Sequence, residues 1–255
     1  MDLEKINNHI KAWLEAYCSK AGLSGFIVGI SGGIDSAVTS TLCAQTGKKV
    51  LLLNMPIRQT KAEYDRGQEH IEDLKKKFAN VSSLEINLTS TFASLEEIFP
   101  KETNENHLAM ANTRARLRMT TLYAIAQQYG VLVTGTGNKI EDFGVGFFTK
   151  YGDGGVDISP IADLTKTAVR NLAHELNVIE SIQIAQPTDG LWGDDRTDED
   201  QLGATYPELE WAMEFVGDGT NLTDREKEVL QIYRKFNQQN KHKMEPIPVC
   251  ILPKN

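Results

Sequence analysis

Cysteine is scarce in this 255-residue chain. Cys18, Cys43 and Cys250 are far apart and no two form a CxxC pair. That argues against a disulfide scaffold or a cysteine metal cluster and suits a reducing compartment, the cytoplasm. Long apolar runs are also missing, and no segment approaches the ~20 residues of a membrane span. The opening "MDLEKINNHIKAWLEAYC" is charged and amphipathic from the start, unlike a signal peptide. Basic excess is absent as well: 27 Lys and Arg face 35 Asp and Glu, a net charge of −8. A general nucleic-acid surface is therefore excluded, and an anionic ligand would need locally concentrated Lys and Arg. There is no internal repeat and no low-complexity segment. What is present, 40% hydrophobic residues, suffices for one large domain over 1–255.

Residues 2–19 place Leu3, Ile6, Ile10, Trp13, Leu14 and Tyr17 at helical spacing. Three apolar runs, "FIVGI", "KVLLLNM" and "VLVTGT" from Val131, read as buried parallel strands, with a weaker strand expected at Leu84–Leu88. Helical patterns at 34–46, 61–79, 90–98 and 107–129 lie between them. This alternation predicts an α/β fold with a doubly wound, mostly parallel sheet flanked by helices. Ligands of such sheets collect beyond the carboxyl ends of the strands, where a glycine-rich loop and "GTGNKIED" both fall. Further helices are expected from Lys166 to Leu176, near 207–216 and at 223–239. The acidic, aperiodic 188–205 stretch reads as a mobile lid, and 99–107 as a second flexible loop.

The stretch "GISGGIDS", residues 29–36, follows the first strand and opens a helix, the arrangement that binds phosphate through helix-start N–H groups. It lacks the lysine of the ordinary GxxxxGK[ST] loop and carries Ile34 and Asp35 instead. A carboxylate in a phosphate loop makes sense when a divalent cation sits between the two. Mg²⁺ commonly takes one or two carboxylates together with phosphate oxygens. Glu141, a few residues past a strand end, can complete that metal site with Asp35.

The string SGGxDS resembles the pyrophosphate loop of the N-type ATP pyrophosphatases, which adenylate a substrate, release pyrophosphate and let a nucleophile displace AMP. Later segments resemble one branch, the ammonia-dependent NAD synthetases: "NTRARLRMTTLYAIAQ" at 112–127, "TGTGNKIED" at 134–142, "GFFTKYGDGGVDISPIADLTK" at 146–166, "QPTDGLWGDDRTDEDQLGATY" at 186–206 and "KHK" at 241–243. The resemblance covers nearly the whole chain. The amidohydrolase domain of glutamine-using relatives is lacking, which implies the short type fed by ammonia. The activity implied is amidation of deamido-NAD by ammonia with ATP as co-substrate, giving NAD, AMP and pyrophosphate through an acyl-adenylate.

The resemblance also implies roles for individual residues. Gly29, Ile30, Ser31, Gly32, Gly33, Ile34, Asp35, Ser36, Thr136, Lys166 and Thr188 would bind ATP, with Asp35 and Glu141 holding Mg²⁺. Arg116, Lys150, Asp157, His242 and Lys243 would bind deamido-NAD. Asp153 is the acid placed near ammonia, and Lys166 would stabilise the departing pyrophosphate. Arg58 and Gln59, in a loop that departs from the family's form, stay unassigned. Arg114 and Arg118 share a helix face with Arg116 roughly opposite. Apolar residues on more than one face of 107–129, together with the family's habit, imply a homodimer formed through that helix. The rival expectations are another adenylating synthetase or a tRNA thiolase of the same superfamily, or a silent ATP-binding protein. The acidic charge and the lack of paired cysteines oppose the thiolase.

Overall fold

The computed structural model describes residues 2–186 and 197–253. Helix α1 (Leu3–Ala21) starts on Asp2, whose carboxylate accepts from the Lys5 N–H, and ends on Gly22 in the left-handed region. Strand β1 (Gly25–Gly29) leads into α2 (Ile34–Gln45), and β2 (Lys49–Asn54) leads to α3 (Lys61–Lys77). Next come β3 (Val81–Glu85), α4 (Thr89–Ile98), the short α5 (Lys101–Asn104), the long α6 (His107–Tyr129) and β4 (Leu132–Val133). A π-helical turn spans Lys139–Val145, followed by α7 (Lys166–Glu175), α8 (Glu180–Gln183), α9 (Asp198–Leu202), α10 (Tyr206–Glu214) and α11 (Asp224–Met244).

The strands form one parallel sheet in the order β3-β2-β1-β4. The near-continuous burial of β1 and β2 follows from helices on both faces. One face packs Phe26, Val28, Val50 and Leu52 against Leu14 of α1, Val38 and Leu42 of α2, and Val169 and Leu172 of α7. The other packs Ile27, Leu51, Leu53 and Val133 against Phe92 of α4 and Met110 and Ala126 of α6. A third cluster joins the π-helical turn to α10 and α11 through Ile140, Val145, Tyr206, Leu209 and Val229.

The expected α/β doubly wound sheet is what the chain forms. The third strand lies at Val81–Glu85 rather than Leu84–Leu88, in register with Val50–Asn54. It is the sheet edge, so Ser82 and Ser83 are tolerated there, and Leu88 instead caps α4. The run from Val131 gives a strand of two residues, extended by a bridge between Thr134 and Ile158. Within 99–107, Lys101–Asn104 is helical, and Asn106 caps α6 by accepting from the Ala109 N–H. Of the expected lid, 188–196 lies outside the described residues. The rest contains α9, closed by a reciprocal Thr197–Asp200 capping box and ended by Gly203.

Candidate active site

The loop between β1 and α2 is set by two glycines. Gly32 has φ +82°, and a Cβ there would overlap the Glu63 carbonyl of α3, so only glycine fits. Gly33 caps α2 in extended conformation and brings no side-chain acceptor, which leaves the helix-start N–H groups for a ligand. The hydroxyls brace the turn: Ser31 Oγ lies 3.1 Å from Ser36 Oγ and accepts from the Gly33 N–H at 3.1 Å. Arg66 Nε donates to the Gly32 carbonyl at 3.3 Å, tying α3 to the loop.

Beside the loop lies a buried charged centre. Thr165 caps α7 and puts Lys166 in its first turn, 3% exposed. Its ammonium donates to Asp35 Oδ2 at 2.6 Å and to Glu141 Oε1 at 2.9 Å. Asn138 donates to Asp35 Oδ1 at 3.1 Å, while its own Oδ1 accepts from the Ile140 and Glu141 N–H groups and fixes the π-helical turn. The Tyr206 hydroxyl donates to Glu141 Oε1 at 2.6 Å and lies 3.3 Å from Asp198 Oδ2. Its ring lies under Lys166, 4.8 Å from centroid to ammonium.

The two carboxylates differ in consequence. Burial raises the Asp35 carboxyl above its ordinary range; Lys166 pulls against that and Glu141 adds to it. Burial also works against Glu141, but Lys166, Tyr206 and Asn138 outweigh it and hold the group below its ordinary range. Burial disfavours the Lys166 cation, yet the two carboxylates more than compensate and raise its pKa. Asp35 and Glu141 thus converge on one point that demands positive charge. Among the described residues no group of three or more His, Cys, Asp and Glu could hold a metal alone. The point between Asp35 and Glu141 is held by the Lys166 ammonium, and two carboxylates beside a phosphate loop are a donor set of the kind that Mg²⁺ takes together with phosphate oxygens.

A cleft of about 900 Å³ opens from this centre, within the usual size of ligand sites. The whole 29–36 loop, Thr136, Glu141, Lys166, Asp153, Arg116, Lys150, His242 and Lys243 line it. Residues more than 200 positions apart in sequence therefore share one site. The "FFTKYGDGG" segment is held to the end of α11: Lys150 Nζ donates to the His242 carbonyl at 2.6 Å and Lys243 Nζ to the Phe148 carbonyl at 2.7 Å. Arg116 Nε donates to the Lys150 carbonyl at 3.2 Å. Asp153 Oδ1 accepts from the Thr149 N–H at 3.0 Å, and burial keeps its carboxyl above the ordinary range. Asp142 is pushed up to about 8, first by burial and then by Glu141, Asp153 and Asp35.

Asp157 stands apart from the other expected residues. It lines a second, smaller hollow beside Tyr123, accepting from the Tyr123 hydroxyl at 3.0 Å and the Val133 N–H at 2.8 Å. Thr188 lies outside the described residues. Sequence reasoning gave no role to Asn138 or Tyr206 and left Gln59 unassigned. Gln59 lines the cleft with a buried, unpartnered Oε1; the only signal for it was its place in the loop after β2.

The NAD synthase family model matches residues 6–247. The NH(3)-dependent NAD(+) synthetase of Mesoplasma florum is 38% identical over 212 residues, 82% of this chain and 84% of that protein. Among solved structures, the NMN synthetase of Francisella tularensis superposes with a TM-score of 0.84 at 31% identity, covering all of both chains. The NH3-dependent NAD synthetase of Campylobacter jejuni gives 0.79 at 25% identity, covering 98% of this chain and all of the other. The phosphate loop, the Asp35–Lys166–Glu141 centre and these matches have one reading: the chain belongs to the NAD synthase family.

Proposed function

We propose that the chain is an ammonia-dependent ligase that amidates deamido-NAD to NAD, converting ATP to AMP and pyrophosphate. The observation that carries this is the buried Lys166 ammonium between Asp35 and Glu141, beside a phosphate loop without the ordinary lysine. The loop N–H groups and Ser31 and Ser36 receive the triphosphate. Asp35 and Glu141 would hold Mg²⁺, which would supply charge neutralisation at the phosphates. Lys166 stabilises the negative charge that develops on pyrophosphate as it leaves. Arg116, Lys150, His242 and Lys243, which also line the cleft, bind the acid substrate. Asp153 orients ammonia toward the acyl-adenylate, and the walls of the cleft keep water from the intermediate. Thr136 and Thr188 contact ATP.

A second substrate is favoured by one comparison. The Francisella protein, which superposes over its full length, is an NMN synthetase, and nicotinate mononucleotide is the acid that fits that name. Purified protein with ATP, Mg²⁺ and ammonia is expected to amidate deamido-NAD, and comparing kcat/KM for the two acids decides which the site prefers. Failure to amidate either would refute the reading.

The chain works in the cytoplasm, as its reduced cysteines suggest, and as a homodimer. Leu108 of α6 is exposed, and Arg116, Thr120, Ala124 and Gln127 form an exposed strip of short or polar side chains along the same helix. Light scattering at low micromolar concentration is expected to give twice the 28.4 kDa chain mass; a fully active monomer would contradict it. Among the described residues no helix is long and apolar enough to cross a membrane.

A further inference from the structure

Arg118 lines the cleft from α6 and has no part in the steps above. Its Nε donates to the Met55 carbonyl at 3.1 Å, which anchors the guanidinium where β2 ends. Among the described residues, the Nη groups make no hydrogen bond or ion pair with a side chain. Burial, with Arg114 beside it, presses the guanidinium down to about 10, while Glu63 and Asp153 act the other way. Those two acids are already committed. Glu63 Oε2 accepts from the N–H and the hydroxyl of Thr60, and Asp153 Oδ1 from the Thr149 N–H. A half-buried cation that lines the cleft, held by its Nε and with its donor fork unused, is placed to take an anion from outside the chain.

Of the other cations lining the cleft, Lys166 has its two carboxylates, Lys150 and Lys243 donate to backbone carbonyls, Arg66 is tied to the Gly32 carbonyl of the phosphate loop, and Arg116 and Arg170 are exposed. Asp153, where ammonia is placed, is close enough to Arg118 to act on its charge. The atom that ammonia attacks must lie in the same region. We propose that the Arg118 guanidinium binds the carboxylate of the acid substrate at the point where it is adenylated, as a catalytic residue of the first half-reaction. The inference rests on the ligase reading above.

In that step a carboxylate oxygen forms a bond to the α-phosphorus of ATP. The bond from that phosphorus to the pyrophosphate oxygen breaks, its electron pair leaves with pyrophosphate, and no proton moves. Two anions must be brought together, and a planar bidentate guanidinium both aligns the carboxylate and offsets the repulsion.

The test is acid-dependent exchange of labelled pyrophosphate into ATP without ammonia, run beside calorimetric ATP binding. Arg118→Met is expected to lower exchange about 100-fold, the usual loss for a transition-state donor, with ATP affinity held within about threefold, well under 1.4 kcal/mol. Arg118→Ala is expected to regain exchange when guanidinium ion is added, a response that a purely structural role would not give. Unchanged exchange in Arg118→Met would overturn the assignment. So would parallel loss of ATP binding and exchange with no rescue of Arg118→Ala. Wild-type protein that exchanges with neither acid would instead refute the ligase reading itself, and it would do so before any substitution is made.

Discussion

Lys166→Met is expected to lose about 10³-fold in turnover and to melt well below the wild type. The catalytic part follows from removing the cation placed to meet charge on the leaving pyrophosphate, a class of contact worth about 10²–10³-fold. The stability part follows from burial. Lys166 is 3% exposed and is the shared partner of two carboxylates. Breaking a buried ion pair from one side costs about 3–5 kcal/mol, because the partner charges remain. The pH dependence has a definite sign. Without the ammonium, Asp35 and Glu141 face each other as like charges, so their folded-state pKa values rise above the unfolded ones. The deficit is then largest near neutral pH and shrinks as pH falls into the carboxylate range. Thermal melts of both proteins across that range check it. A pH-independent deficit, or full activity, would contradict the role given to Lys166.

Asp35→Asn separates chemistry from stability. Burial already disfavours the Asp35 carboxylate, and Glu141 remains to pair Lys166 after the change. Stability is therefore expected to stay within about 1 kcal/mol, the range of a typical single hydrogen-bond change. Activity is expected to fall about 10²–10³-fold, because half of the proposed Mg²⁺ ligand set is gone. Raised Mg²⁺ should restore only part of it. Initial rates against Mg²⁺ concentration make the measurement. Wild-type turnover at limiting Mg²⁺ would remove Asp35 from the metal site.

The sheet and the phosphate loop were legible in the sequence because their signals are local. β1 and β2 are continuous apolar runs, and SGGxDS states its own backbone needs: a glycine at φ +82° and a helix start. β3 was misplaced by three residues because an edge strand with Ser82 and Ser83 at its centre carries little apolar signal. The charged centre was legible only in part. Asp35 and Glu141 were read as a metal pair from the phosphate loop and the strand end, and Lys166 came from the family resemblance, but nothing in their spacing says that they meet at one ammonium. Tyr206 was missed because an aromatic residue in the first turn of an amphipathic helix reads as core. It is core, fully buried, and its hydroxyl still reaches Glu141. Arg118 was named only by the helix face it shares with Arg114. Which face of α6 meets the cleft depends on how that helix packs on the sheet, and periodicity does not supply that.

The central claim is that the acid's carboxylate is adenylated before ammonia attacks, and isotope transfer reads this directly. Acid substrate labelled with ¹⁸O in its carboxylate is converted with ATP, Mg²⁺ and ammonia, and the products are examined by phosphorus NMR. One labelled oxygen is expected in AMP and none in pyrophosphate, with one AMP formed per amide. Unlabelled AMP, or ADP and phosphate in place of AMP and pyrophosphate, would contradict the account.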